Sequence, residues 1–279
     1  MSLDAFGQPS GQQSPDDFFT SAGGGSEIEV PVVPRATRAG RSEDLEALGL
    51  PAGSWVTSRA NPQAGRFAWL SDEPMPLRRW WPRLVSAFPQ TGWWPMIVPV
   101  ENEMLAMVRE GELDGPQPVE GSYAELLDEL REAAREEWAA DAPADQAWKY
   151  HAAPPAVGIH RGEVMTTQYP VQEHLLLVPV QRPADALAAI GWPGCEESGL
   201  SVAEFTLALR SLEERFGAVV GEMGPSSLMI DVTTPPTDVA QQTDLLREFN
   251  ALCPDAYVEG ELEDFLDSVG YGPWMFWWE

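Results

Sequence analysis

The sequence has few of the side chains that perform chemistry at enzyme sites. It contains three histidines, two cysteines and a single lysine, Lys149, in 279 residues. It lacks both the phosphate-binding loop and the Gly-x-Gly-x-x-Gly fingerprint of nucleotide sites, and it lacks the Gly-x-Ser-x-Gly elbow of serine hydrolases. We therefore expect no catalytic residue and no cofactor, and the sequence favours a binding protein over an enzyme.

The histidines and cysteines also lack the spacing of metal ligands. His151, His160 and His174 are separated by 9 and 14 positions, whereas helical metal sites place two histidines four positions apart. Cys195 and Cys253 belong to no Cys-x-x-Cys pair, which argues against a zinc knuckle or a disulfide framework. We expect no bound metal ion and two reduced thiols.

Long apolar runs are also absent. No stretch approaches the roughly 18 consecutive apolar residues that a membrane helix needs. The first residues show neither the basic region nor the apolar region of a secretory signal. The sequence therefore predicts a cytoplasmic protein that does not enter a membrane.

Charge of one sign dominates what is present. Acidic residues number 44 against 17 basic ones, which gives a net charge of -27. Such a chain repels phosphate backbones and anionic lipid surfaces, so neither nucleic acid nor membrane is an expected partner. Two interpretations stay open: the charge serves solubility, or an acidic surface docks a basic protein partner.

The composition divides the chain into four predicted parts. Residues 1–26 form a Gly- and Ser-rich flexible tail, 27–138 an N-terminal α+β subdomain, 139–171 an Ala- and Pro-rich linker, and 172–279 a C-terminal domain. The acidic excess lies in the later parts, because residues 27–100 are nearly neutral. One hypothesis is therefore that N-terminal arginines face the acidic half, with Arg78, Arg79 and Arg83 as candidates.

Local patterns predict the elements of the N-terminal part. An alternating strand at residues 28–33 is restricted to a sheet edge by its prolines. A short helix at 42–48, a helical turn at 80–85 and a buried strand at 92–100 follow. Ser122 and Glu125 form a capping box that begins an amphipathic helix ending near Trp138.

The C-terminal part predicts a β-α-β-β-α-β order. A strand at 175–180 precedes a helix that Ser201 and Glu204 begin with a second capping box. The remaining predicted elements are a hairpin of strands 218–222 and 227–232, helices at 238–252 and 259–269, and a final strand at 274–278. This order matches the split β-α-β plan of ferredoxin-like domains. The predicted fold class is α+β, with a ferredoxin-like C-terminal domain and a smaller N-terminal α+β subdomain.

Three aromatic landmarks resemble one bacterial family. They are Thr-Gly-Trp-Trp-Pro at 91–95, Leu-Leu-Val-Pro-Val at 176–180 with Gly-Trp-Pro-Gly at 191–194, and the terminal Trp-Met-Phe-Trp-Trp-Glu at 274–279. Over about residues 173–279 the chain resembles domain of unknown function 4253, with a weaker similarity around 80–100. That family has no settled activity, so the resemblance implies a domain boundary and no catalytic residue.

Two site hypotheses from different classes follow from the 12 tryptophans and the acidic clusters. The first is a non-enzymatic interaction module, for instance an immunity-type factor, whose acidic and aromatic surface binds a basic partner. Its candidate residues are Glu259, Glu261, Glu263, Asp264, Asp267, Trp277 and Trp278. The alternative is an enzyme or small-molecule binder with a pocket at the seam between the two halves, formed by Trp93, Trp94, His160, His174 and Trp192. Packing of the tryptophans in the core and simple solvation of the acidic residues are the plainer interpretations of both sets, and the oligomeric state stays open.

Overall fold

The computed structural model describes residues 33–100, 102–138, 151–155, 172–257, 263–271 and 273–279. The predicted flexible tail, the predicted strand at 28–33 apart from its last residue, and most of the predicted linker lie outside these ranges. So do His160, Glu259 and Glu261.

Seven strands form one mixed sheet. They are β1 (Gly53–Val56), β2 (Ala68–Ser71), β3 (Trp93–Val98), β4 (His174–Pro179), β5 (Ala218–Met223), β6 (Ser227–Val232) and β7 (Trp274–Trp277). Their order across the sheet is β1-β2-β4-β3-β5-β6-β7. All neighbours are antiparallel except β3 and β5, which run parallel.

Strand β4 lies between two strands of the N-terminal part. It pairs with β3 along its whole length, from His174 opposite Val98 to Pro179 opposite Trp93. On its other side Leu176 and Leu177 pair with β2. Its uninterrupted apolar run fits this central position, because a strand covered on both faces needs no polar alternation. The boundary at residue 172 is still a prediction, but the sheet is continuous across it.

The predicted ferredoxin-like arrangement is not confirmed. A split β-α-β unit needs two parallel strands with one strand between them. Strand β3 does lie between β4 and β5, but it is antiparallel to β4 and parallel to β5. Strands β4 and β5 therefore run in opposite directions. The C-terminal elements follow the predicted order along the chain, and an N-terminal strand occupies a place within their sheet.

Eight α-helices lie among the described residues. They are α1 (Ser42–Ala47), α2 (Leu77–Thr91), α3 (Glu103–Glu110), α4 (Tyr123–Trp138), α5 (Ala186–Ile190), α6 (Val202–Phe216), α7 (Val239–Leu252) and α8 (Leu266–Tyr271). None of these helices has the length and apolar character needed to cross a membrane. Both predicted capping boxes are confirmed, since Glu125 accepts from the Ser122 amide at 2.8 Å and Glu204 from the Ser201 amide at 2.8 Å.

Aromatic side chains fill much of the core. Trp94 in β3 packs edge-on against Trp81 and Phe88 of α2. Its neighbour Trp93 contacts Trp55 of β1 instead. Because successive side chains of a strand point to opposite faces, the two rings bury both sides of the sheet.

A second aromatic cluster lies at the other end of the sheet, where Trp274 and Phe276 of β7 pack against Phe216 and Phe205 of α6, respectively. Both also contact Phe249 of α7. These rings fix the two helices on one face of the last strand.

Candidate functional site

Four of the five predicted seam residues lie in the core. Trp93, Trp94, His174 and Trp192 are each exposed by 3 % or less. Their polar atoms have partners: Trp94 Nε1 donates to the Val220 carbonyl at 2.9 Å, and Trp192 Nε1 donates to the Gly224 carbonyl at 2.8 Å. These indole nitrogens therefore join separate strands and turns of the sheet.

His174 is also buried against a strand. Its Nδ1 lies 2.9 Å from the Ser71 carbonyl oxygen at the end of β2. The Ser71 hydroxyl oxygen lies 3.4 Å from the same nitrogen and accepts from the Leu175 amide at 3.1 Å. The histidine thus ties β4 to β2.

Three surface cavities have volumes of about 230 to 320 Å³. One lies between α4 and His151, one between β1 and α3, and one beside α5 and Arg210. None of the three is lined by the four buried seam residues. Ligand pockets are typically about 300 to 1,000 Å³, so these three cavities have volumes close to or below the lower limit of that range.

Metal-binding geometry is also absent from the described part of the chain. There, no group of three or more His, Cys, Asp or Glu side chains is placed to hold an ion. His151 is exposed and lines one of the surface cavities, whereas His174 is buried in β4. The two described histidines take part in different contacts.

Both cysteines are free and buried. Burial raises the pKa of the Cys195 thiol to about 12, with smaller contributions from the Glu196 and Glu204 charges. Burial likewise raises the pKa of Cys253 to about 12. Only a thiolate is a strong nucleophile, so both side chains are held in their unreactive form at neutral pH.

We expect this burial to make the protein sensitive to alkali. Thiols with an ordinary pKa of 9.0 ionise in the unfolded chain while the folded chain keeps them protonated. Their contribution to the free energy of unfolding is therefore complete below about pH 9 and is lost as the pH rises towards 12. Denaturant titrations across this range would measure the slope.

The matched control is the Cys195→Ala/Cys253→Ala variant, whose alkaline slope should be shallower than that of the parent chain. Labelling with a thiol reagent at pH 8 should be slow in the native protein and fast in denaturant. Rapid labelling of native Cys195 or Cys253 would contradict the assignment of both thiols to the core.

A buried ion pair that the sequence did not predict joins four parts of the chain. Glu248 of α7 is fully buried and accepts two hydrogen bonds from the Arg215 guanidinium, at 2.5 and 2.9 Å. Its oxygens also accept from the Tyr123 hydroxyl and the Ala153 amide, both at 2.8 Å. All four donors aim at one carboxylate, so α4, α6, α7 and residues 151–155 are held together at this point.

Two of the three arginines of the N-terminal hypothesis make other contacts within the described part of the chain. Among the described residues, no ion pair involves Arg78, Arg79 or Arg83. Arg79 and Arg83 lie over the Trp80 ring instead. Another N-terminal arginine, Arg35, reaches the C-terminal part, where its guanidinium lies 2.8 Å from the Glu213 carboxylate in α6.

The predicted acidic cluster lies partly on the surface at the C-terminal end. Glu263, Asp264 and Asp267 are exposed, on and just before α8. Of the two tryptophans in the same prediction, Trp277 is half-buried and Trp278 is 2 % exposed. The acidic side chains are therefore open to solvent, while the Trp278 ring is not.

Exposed apolar side chains accompany these acidic residues. The large hydrophobic side chains exposed among the described residues are Val100, Val239, Tyr271 and Met275. Three of the four lie on α7, α8 and β7. Gly270 packs so closely on α7 that a Cβ atom there would lie 2.5 Å from the Gln242 amide nitrogen, which brings the end of α8 against the first turns of α7. We call Val239, Tyr271, Met275, Glu263, Asp264 and Asp267 the C-terminal patch.

The sheet edge beside this patch is capped by side chains. Among the described strands, β7 pairs with β6 alone. On its outer side the Met275 carbonyl accepts from the Tyr257 hydroxyl at 2.7 Å, and the Trp277 carbonyl accepts from the Cys253 thiol at 2.9 Å. Edge strands with free backbone groups invite pairing with other chains. These two carbonyl groups are therefore already bonded within the protein.

The described part of the chain is thus an α+β structure with one mixed sheet, and the C-terminal part of the sequence is similar to a known family. Residues 174–279 match the sequence model of a family described as Domain of unknown function (DUF4253). This confirms the resemblance noted above for the C-terminal part of the chain. No curated protein and no solved structure matches the chain significantly. The match begins at the first residue of β4 and leaves out β1, β2 and β3.

Proposed function

We propose that the protein is a non-enzymatic interaction module that binds a basic protein partner through the C-terminal patch. One observation carries the proposal: three of the four exposed large apolar side chains lie on the C-terminal elements α7, α8 and β7, and one of them, Tyr271, shares α8 with the exposed Asp267. Neutralisation of a basic toxin by an immunity-type factor would be one form of such a function. The indole of Trp278 is excluded from the contact surface because it is buried.

The apolar and the acidic side chains of the patch contribute to binding in different ways. Tyrosine and methionine are enriched in interfaces, and burying such a side chain contributes roughly 1.5–3 kcal/mol. Tyr271 and Met275, which are 60 % and 51 % exposed, have most of that area still to bury. The exposed carboxylates of the patch raise the association rate and select for a basic partner.

The test compares capture of proteins from a lysate of the source organism by the native chain and by two patch variants. One variant reverses charge, with Glu263→Lys, Asp264→Lys and Asp267→Lys. The other removes apolar area, with Tyr271→Ser and Met275→Ser. We expect a stoichiometric basic protein to be captured by the native chain at low salt and lost with both variants. Raised salt should weaken its capture, because salt screens exposed charges.

A matched control reverses three exposed acidic residues away from the patch, with Glu129→Lys, Glu196→Lys and Glu197→Lys. It changes the net charge equally, so it should retain the partner if the patch itself is the binding surface. Equal loss with the control would indicate a response to total charge. Capture that survives both patch variants would refute the proposed surface.

A further inference from the structure

An N-terminal strap crosses one end of the sheet. It comprises residues 33–41 and is held by backbone contacts, in which the Ala36 amide donates to Gln181 and the Gly40 amide donates to Gly92, both at 2.9 Å. Trp93 Nε1 donates to the Arg41 carbonyl at 3.0 Å. The strap therefore passes the ends of β4 and β3 and carries its arginines with it.

One of these arginines reaches a carboxylate that is buried in α6. Glu213 has a side chain with no exposed area, and its Oε2 atom lies 2.8 Å from Arg35 Nη1. The same oxygen lies 2.6 Å from Arg182 Nη2. Arg182 is largely covered, with 19 % of its side chain exposed, whereas Arg35 retains 40 %. The carboxylate is thus paired with one inner guanidinium and one that approaches from outside.

Without Arg35, the charged groups around Glu213 carry one more negative charge than positive charge. Arg182 also pairs with Glu214, at 3.1 Å, and Arg210 pairs with Asp185 at 2.6 Å. Without Arg35, this cluster holds three carboxylates and two guanidinium groups. The strap therefore contributes the charge that balances the cluster.

The Glu213 carboxylate is also incompletely satisfied. Its Oε1 atom is buried and has no hydrogen-bond partner among the described residues. Burial raises the pKa of Glu213, while the charges of Arg182 and Arg35 oppose that rise. A buried acceptor without a good donor costs free energy, so Arg182 and Arg35 do not fully satisfy the Glu213 carboxylate.

We propose that Glu213 and Arg182 form an arginine-binding site that Arg35 occupies in cis, and that the arginine side chain of a second peptide or protein can take its place. A guanidinium suits this position better than an ammonium. It is more weakly hydrated, and its planar fork can donate to both oxygens of one carboxylate. The site lies on α6 and does not depend on the C-terminal patch.

Because Arg35 already occupies the site, an added arginine must compete with it to bind. A side chain on a short tether competes at an effective concentration in the millimolar range, so the native chain should bind a free arginine derivative weakly. Removing Arg35 removes that competition. The expected effect is a gain of binding, which a merely structural ion pair would not produce.

The experiment measures binding of N-acetyl-L-arginine methylamide to the full chain by isothermal titration calorimetry. We expect one molecule to bind Arg35→Ala at least about tenfold more tightly than the native protein. N-acetyl-L-lysine methylamide should bind the same variant more weakly. Arg35→Ala/Glu213→Gln should lose the arginine binding, because the carboxylate that holds the guanidinium is gone.

Arg38→Ala is the matched control. Arg38 lies on the same strap but pairs with Asp44, which is not fully buried, so its removal should not create a binding site. If Arg35→Ala does not fold, Arg35→Lys serves instead, since a lysine is a poorer occupant and the arginine derivative should still bind it more tightly than the native chain.

Three results would overturn the proposal. They are equal binding of the arginine derivative to the native chain and to the Arg35 variant, equal binding of the lysine derivative, and binding that persists after Glu213→Gln.

Discussion

Residues 172–279, produced without the preceding chain, are expected to be insoluble or unfolded. In the whole protein β4 is bonded on both sides by β2 and β3, and β5 is bonded on one side by β3. Removing those strands would expose the backbone edges of β4 and the side chains of Leu175, Leu176, Leu177 and Val178, which have no exposed area now. Far-UV circular dichroism and denaturant titration of the fragment would measure the loss.

The size of the effect follows from the burial. Burying one such aliphatic side chain contributes roughly 1.5–3 kcal/mol, and a whole domain is stable by only about 5–15 kcal/mol. The loss of several therefore approaches the total. Free strand edges of this kind also promote aggregation.

The matched control for this experiment is the chain from residue 33 to 279, which keeps every described strand and should unfold cooperatively. Co-production of residues 33–138 with the fragment should restore solubility by returning β2 and β3 to β4. A fragment that unfolds cooperatively by itself would instead establish residues 172–279 as an independent domain, as the composition of the sequence suggests.

Replacement of Arg215 by methionine is expected to destabilise the protein by about 3–5 kcal/mol, the range found when one partner of a buried ion pair is removed. The variant keeps much of the side-chain volume but leaves Glu248 as a buried carboxylate without its countercharge. Tyr123 and Ala153 would still donate to it, and two neutral donors do not replace a guanidinium. Urea denaturation at neutral pH would give the difference in the free energy of unfolding.

The control for Arg215 is Arg210→Met on the same helix. The Arg210 and Asp185 side chains keep 28 % and 24 % of their area exposed, so removing this half-buried pair should cost less than removing a partner of the fully buried Glu248. Arg215→Met combined with Glu248→Met should recover part of the loss, because no charge is then buried. Similar losses for Arg215→Met and Arg210→Met would contradict the special role of the Glu248 cluster.

The sequence predicted the positions of helices and strands better than it predicted which strands pair with each other. Helices α4 and α6 begin at the predicted capping boxes, and the β5–β6 hairpin and strand β7 lie where their patterns placed them. Capping residues and alternation act within a few positions, so they can be recognised from the sequence alone. The pairing of β4 with β2 and β3 depends on contacts between distant residues. An apolar run indicates a buried strand without specifying its partners.

The short strands β1 and β2 were missed for a related reason. Each has four residues, which is too short for alternation to be distinguished from a loop. Their positions are fixed by Trp55 packing on Trp93 and by pairing with β4, and neither contact has a local signal.

The charged sites show the same division. The exposed acidic residues near α8 could be predicted, because carboxylates are placed on the surface by default. Glu213 and Glu248 depart from that rule, and each is stabilised by an arginine brought to it by folding. The only local signal was their position in helices next to buried residues such as Leu212 and Phe249. An acidic residue within an apolar stripe is therefore a reason to search for a buried arginine.

The central position of β4 also orders events during synthesis. Strand β3 ends at Val98 and β4 begins at His174, so β2 and β3 leave the ribosome long before the strand that belongs between them. Until β4 is synthesised, β2 and β3 lack the strand with which both of them pair in the finished sheet, so the backbone groups that face β4 have no strand partner. Contacts over such separations form slowly. We therefore expect the nascent chain to depend most on a chaperone after β3 has been synthesised and before β4 has been.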